Sequence, residues 1–101
     1  MEKTVFSQTD IKQRLLPVLE DYGVTKAVLF GSYVKGKATS DSDVDLMVDS
    51  GLKGLSFMGL VESIREALDD KPVDVLDVAH IIPRSKVDNE IKDTGVIIYE
   101  K

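Results

Sequence analysis

Cysteine and tryptophan are missing from this chain, and histidine occurs once, as His80. Without cysteine there is no disulfide, no thiolate metal site and no thiol nucleophile. The composition suits a reducing compartment, and a cytoplasmic protein is expected. One histidine excludes a metal centre built from several imidazoles, and His80 is expected to be structural or solvated. Long apolar runs are also missing. Nothing approaches the roughly 18 consecutive apolar residues of a membrane span, and the opening MEKTVFSQTD carries no apolar signal segment. Neither a membrane partner nor an export signal is expected. Positive charge is scarce: 13 Lys and Arg face 18 Asp and Glu, a formal charge of −5. The basic residues are scattered singly, so no stable nucleic-acid binding is expected. The aromatics, three Phe and three Tyr, form no RNP-like run that would stack bases.

What is present is material for one small core. At 101 residues with 43% apolar content, the chain reads as a single domain over 1–101. SQTDIKQRLLPVLEDYG opens on a capping-box pattern, Ser7 with Asp10. Its apolar stripe is Ile11, Leu15, Val18, Leu19 and Tyr22, and Gly23 is the stop. Pro17 lies off the stripe and predicts a kink. KAVLF (26–30) reads as a buried strand, and SDVDLMV (42–48) as a second, with Val44, Leu46 and Val48 on one face. A loop over 49–54 precedes a helix capped by Ser56, with the stripe Phe57, Leu60, Val61, Ile64 and Leu68. VDVLD (73–77) is a third strand, SKVD (85–88) caps a short helix, and VIIY (96–99) is the last strand. Strands alternating with helices predict an α/β (α+β) fold with a small mixed sheet covered by helices.

The segment FGSYVKGKATSDSDVDLMV poses a physical problem. Asp43 and Asp45 lie two apart in a strand, hence on one face and ~6.6 Å apart along the chain. Two ionised carboxylates at that distance repel by roughly 2–3 kcal/mol at an effective dielectric near 20. No Lys or Arg on that face relieves them. Two readings are open for the pair alone: the wet face of an edge strand, or a site for a divalent cation such as Mg²⁺, which prefers convergent carboxylates with phosphate and water. Asp41 precedes the strand and reads as loop. Upstream, Gly31 permits close backbone approach to a ligand. SYVKG predicts one helical turn with free N–H groups, and Ser32 adds a hydroxyl. A phosphate cradle one tight connection from paired carboxylates describes a metal–nucleotide site. Tyr33 borders that site and reads by default as an exposed turn residue.

Gly31-Ser32, ten intervening residues, then Asp43-Val44-Asp45 resembles the GS-x10-DxD signature of the nucleotidyltransferase superfamily. The chain looks most like its minimal nucleotidyltransferase (MNT) group, and the preceding helix, Gly36, the SDxDL context and the later VDV extend the likeness along nearly the whole sequence. The resemblance implies a nucleotidyltransferase fold in which Asp43 and Asp45 are metal ligands for two Mg²⁺ ions. It implies that Asp74 is the third carboxylate, a metal ligand with the other two that also helps to orient or deprotonate the attacking hydroxyl. Alternation supports Asp74, because Val73 and Val75 would face the core and Asp77 would point away as a strand-end residue. Gly31, Ser32 and nearby amides would hold phosphates. Where family members often carry Arg, this chain has Tyr33, Lys35 and Lys37. Lys35 suits phosphate as a point charge, and a solvated role fits either lysine equally. The resemblance further implies ATP as substrate, AMP transfer to a hydroxyl, and a HEPN-domain toxin partner modified on tyrosine by this chain as antitoxin, with assembly into an oligomer with that partner. Two other outcomes stand beside it: a non-catalytic antitoxin acting by complex formation, and transfer to a small molecule.

Overall fold

The computed structural model describes residues 6–38 and 42–101. Helix α1 (Gln8–Asp21) starts on the expected box: the Ser7 hydroxyl accepts from the Asp10 amide, and the Asp10 carboxylate accepts from the Ser7 amide. It continues through Pro17, which lies exposed and off the buried stripe of Ile11, Leu15 and Leu19. Gly23, at φ +70°, lets the chain turn into β1 (Lys26–Phe30).

Strand β2 spans Val44–Asp49, shifted from the expected 42–48. Its neighbour sets the start. The first partner of Val44 is Val73 of β3 (Val73–Asp77), and the residue before Val73 is Pro72, which has no N–H to extend the ladder. Asp43 therefore precedes the strand instead of lying within it. Helix α2 (Gly54–Ala67) begins two residues before Ser56, which is thus a helical residue and not the cap. Residues 54–56 are exposed, so water can satisfy the amides that a side-chain cap would have bound. Helix α3 (Lys86–Thr94) is capped by Ser85, and β4 (Val96–Glu100) closes the fold.

The sheet order is β3-β2-β1-β4, with β2 and β3 parallel and β1 antiparallel to both its neighbours. This mixed sheet with three helices is the expected fold class. Alternation divides its two faces. Ala27, Leu29, Val44, Leu46, Val48 and Ile98 pack with the stripes of α1 and α2 in the main core. Val28, Phe30 and Met47 occupy the other face beneath Val87 and Ile91 of α3, with Leu76 and Ile81 beside them. That second face also carries Asp45 and Asp74. No helix among the described residues is long and apolar enough to cross a membrane.

Candidate active site

The site forms where β1 ends. Phe30, Asp45 and Asp74 stand in one cross-strand row, Phe30 opposite Asp45 and Asp45 beside Asp74. Paired residues project from the same face and lie about 4.8 Å apart between strands. At Gly31 the backbone takes φ +77° and starts a single 3₁₀ turn, Gly31–Tyr33. A Cβ at Gly31 would overlap Oδ2 of Asp45. The glycine and the carboxylate strand are therefore in direct apposition, although distant in the chain.

Asp45 is half-buried, whereas Asp43 and Asp74 are exposed. Burial, followed by the charges of Asp74, Asp43 and Glu90, holds the Asp45 carboxyl above its ordinary pKa. The opposition between carboxylates expected along the strand is thus present, but its larger charge contribution comes from the neighbouring strand. Asp77 does point away, as alternation predicts. It is 3% exposed and structural: Oδ1 accepts from the Ser50 amide at 3.1 Å and the Ser50 hydroxyl at 2.6 Å, and Oδ2 accepts from the Ala79 amide at 3.0 Å. His80 is exposed and meets Phe57 edge-on. Asp41 lies outside the described residues.

Two expectations about the turn need correction. The amides of Val34 and Lys35 both donate to Gly31 O, and that of Lys37 donates to Ser32 O, so these three N–H groups close the turn instead of awaiting an anion. Tyr33 is buried in the main core with Val44 and Leu46, its hydroxyl without a hydrogen-bond partner among the described residues. Its ring is too apolar to leave at the lip once the 3₁₀ turn points it at the core. Ser32 is half-buried, Lys37 is exposed, and Lys35 reaches across to Glu90, Nζ to Oε1 at 2.9 Å.

Glu90 is the acidic neighbour that inspection of the signature alone misses. A signal for it exists in α3, where Val87, Glu90 and Ile91 follow helical spacing and the two apolar members pack on the sheet. A charge inside that stripe is aimed toward the sheet.

The donor set fits a hard divalent cation: oxygen ligands only, one of them partly buried, packed against Gly31 and burdened by its neighbours' charge. Among the described residues no three acidic or histidine side chains are already gathered into a cage. Mg²⁺ does not require one, since it is usually held by one or two carboxylates with water and substrate phosphates. A recess of about 510 Å³ opens on the same sheet face beyond the row, between Val28, Met47 and Ile97 of the sheet and Ile81 and Ile91.

The family model described as polymerase beta, nucleotidyltransferase, matches residues 13–101. The chain belongs to that family. A Methanocaldococcus jannaschii protein, MJ0435, whose name gives it provisionally as a protein adenylyltransferase, is 36% identical over 89 residues, covering 83% of this chain and 94% of its own. The protein adenylyltransferase MntA of Thermococcus cleftensis is 57% identical over 30 residues, 30% of each chain. Among solved structures, a toxin–antitoxin with AMP-PNP is similar at TM-score 0.73 and 24% identity, covering 89% of this chain and 73% of the other. A tri-AMPylated Shewanella oneidensis HEPN toxin in complex with an MNT antitoxin matches at TM-score 0.67 and 22% identity, over 93% and 73% of the two chains. At these identities the solved structures speak to fold. The enzyme class follows from the family: this domain is a nucleotidyltransferase.

Proposed function

We propose that this nucleotidyltransferase transfers AMP from ATP to a tyrosine hydroxyl of a HEPN-domain toxin, and so acts as its antitoxin in a complex with that partner. The observation that carries the reading is the apposition of Gly31 to Asp45 with Asp74 in register beside it. This brings the phosphate-side turn and the paired carboxylates into one site. The names of the relatives supply the direction, since MJ0435 and MntA are named for adenylyl transfer to protein. Solved neighbours of this fold come from a complex of a tri-AMPylated HEPN toxin with an MNT antitoxin and from a toxin–antitoxin with AMP-PNP.

In this reading Asp43, Asp45 and Asp74 would hold Mg²⁺, and Asp74 would also face the incoming hydroxyl. Bound there, Mg²⁺ would supply Lewis-acid charge neutralisation for phosphoryl transfer. Asp74, exposed and next to Asp45, orients the hydroxyl and accepts its proton. A new bond forms from that oxygen to the α-phosphorus as the bond to the β-phosphate oxygen breaks, and pyrophosphate leaves. Ser32 offers a hydroxyl to the phosphates, and Gly31 lets them approach the backbone. Lys35 contributes a point charge where a bidentate arginine would contribute a fork.

Intact-mass measurement of the co-expressed partner, with ATP and Mg²⁺, tests the proposal. The partner should gain the mass of AMP, and the gain should vanish with Asp43→Asn. Protection from the toxin that persists in Asp43→Asn, with no mass gain in either protein, would instead establish neutralisation by complex formation.

A further inference from the structure

The ion pair between Lys35 and Glu90 joins two parts of the chain that the signature does not connect. Lys35 follows the Gly-Ser turn, and Glu90 projects from α3 on the helix flank next to the carboxylate row. Their charged atoms are 2.9 Å apart, with the Glu90 side chain 26% exposed. Glu90 is also near enough to Asp45 to act on its ionisation, together with Asp43 and Asp74. A fourth acid at a crowded acidic site is a burden to the fold, and a half-exposed ion pair offers little stability in return. Its value is more readily found in what it does to the lysine.

An ammonium group on a four-carbon stem is a mobile charge with three N–H donors. Solvated, it must be ordered each time a ligand binds. Held by one carboxylate, it keeps two donors for other acceptors and is already in place. We propose that Glu90 is a positioning residue of the nucleotide site, fixing the Lys35 ammonium at the lip of the carboxylate row so that its remaining donors meet the triphosphate oxygens. Protein kinases use a helix-borne glutamate on a strand lysine in the same division of labour. The proposal rests on reading the Gly-Ser turn as the phosphate side of the site. It also favours Lys35 over Lys37, since both are exposed but Lys35 is held by an ion pair with Glu90.

The test is a binding titration of the full chain with a non-hydrolysable ATP analogue and Mg²⁺, for wild type, Glu90→Gln, Lys35→Ala and the double variant. Glu90→Gln is expected to weaken binding roughly threefold to tenfold. Lys35→Ala should weaken it at least as much, and the double variant no further than Lys35→Ala alone. Glu90→Asp, which keeps the charge on a shorter stem, should fall between. In the transfer assay the loss should appear in KM for ATP with kcat nearly unchanged. Melting without ligand controls for folding, and if Glu90→Gln melts low, Glu90→Asp against Lys35→Ala carries the comparison. Unchanged or tighter binding by Glu90→Gln overturns the inference, because repulsion among the acids would then dominate. So does equal weakening in the presence and absence of Lys35. A wild type that binds nucleotide but modifies no partner overturns the proposed function alone, whereas one that binds no nucleotide overturns both.

Discussion

Gly31 is confined by two independent constraints. Its φ of +77° strains any residue with a Cβ, and that Cβ would displace the Asp45 carboxylate. Gly36 has a similar φ of +71° but open space around it. Gly31→Ala should therefore cost about 1–3 kcal/mol by denaturant unfolding and abolish transfer. Gly36→Ala should cost only about 1 kcal/mol, the backbone strain alone. Equal effects would show that contact with Asp45 is unimportant. Asp77 poses a different residue-scale problem. Burial opposes its charge, but the hydrogen bonds from Ser50 and Ala79 outweigh it and lower its pKa below the ordinary value. A carboxylate with a depressed folded pKa contributes stability above its unfolded pKa, near 3.9, and loses it as pH falls through the folded value. Asp77→Asn should thus be destabilised by about 1–3 kcal/mol at pH 7, and the gap in melting temperature should narrow on acidification below about pH 4.

At the scale of elements, α3 is short and carries Glu90 beside the carboxylate row. It has nine residues, too few to be stable alone, and none is fully buried. The Ser85 hydroxyl accepts from the Asp88 amide, but the reciprocal half of the box is lost because Asp88 accepts instead from the Arg84 amide and pairs with Lys92. One cap thus anchors the helix that covers Phe30 and carries Glu90. Ser85→Ala should cost about 1 kcal/mol, or roughly 4–8 °C in melting temperature for a domain of this size. Hydrogen exchange should rise in 86–94 before it rises in α1, whose complete box is independent of Ser85.

For the whole molecule, the carboxylate row is a cost to the fold that a bound cation would offset. Burial, then the charges of Asp74, Asp43 and Glu90, raise the pKa of Asp45, so keeping its carboxylate ionised costs the folded chain stability. Without Mg²⁺ and nucleotide, Asp45→Asn should melt higher than wild type by roughly 2–4 °C, equivalent to about 0.5 kcal/mol. With Mg²⁺ and ATP at ~100 times the dissociation constant, wild type should gain about 2.7 kcal/mol and the variant little, so the order of the two melts reverses. A variant that melts below wild type in both conditions would remove repulsion between the acids as a feature of the folded state.

Local chemistry was readable from the chain alone. Ser7 with Asp10, and Ser85 before Asp88, announce helix starts because capping acts within four residues. The alternation Val73-Asp74-Val75 assigns Asp74 to the face opposite the core because strand geometry has a period of two. What the linear order leaves open is decided by packing between distant segments. Asp45 stands beside Asp74 only because β2 and β3 pair in parallel in that register. Asp43 falls before the strand because Pro72 ends the ladder, and Tyr33 turns inward because the core has room for its ring. Lys35 finds Glu90 only once Val87 and Ile91 seat α3 on the sheet. Short-range hydrogen bonds and periodicity mark the helix starts and the strand faces, and the resemblance singles out the acids and the glycine, whereas the distances between them are set by tertiary contacts that no local pattern encodes.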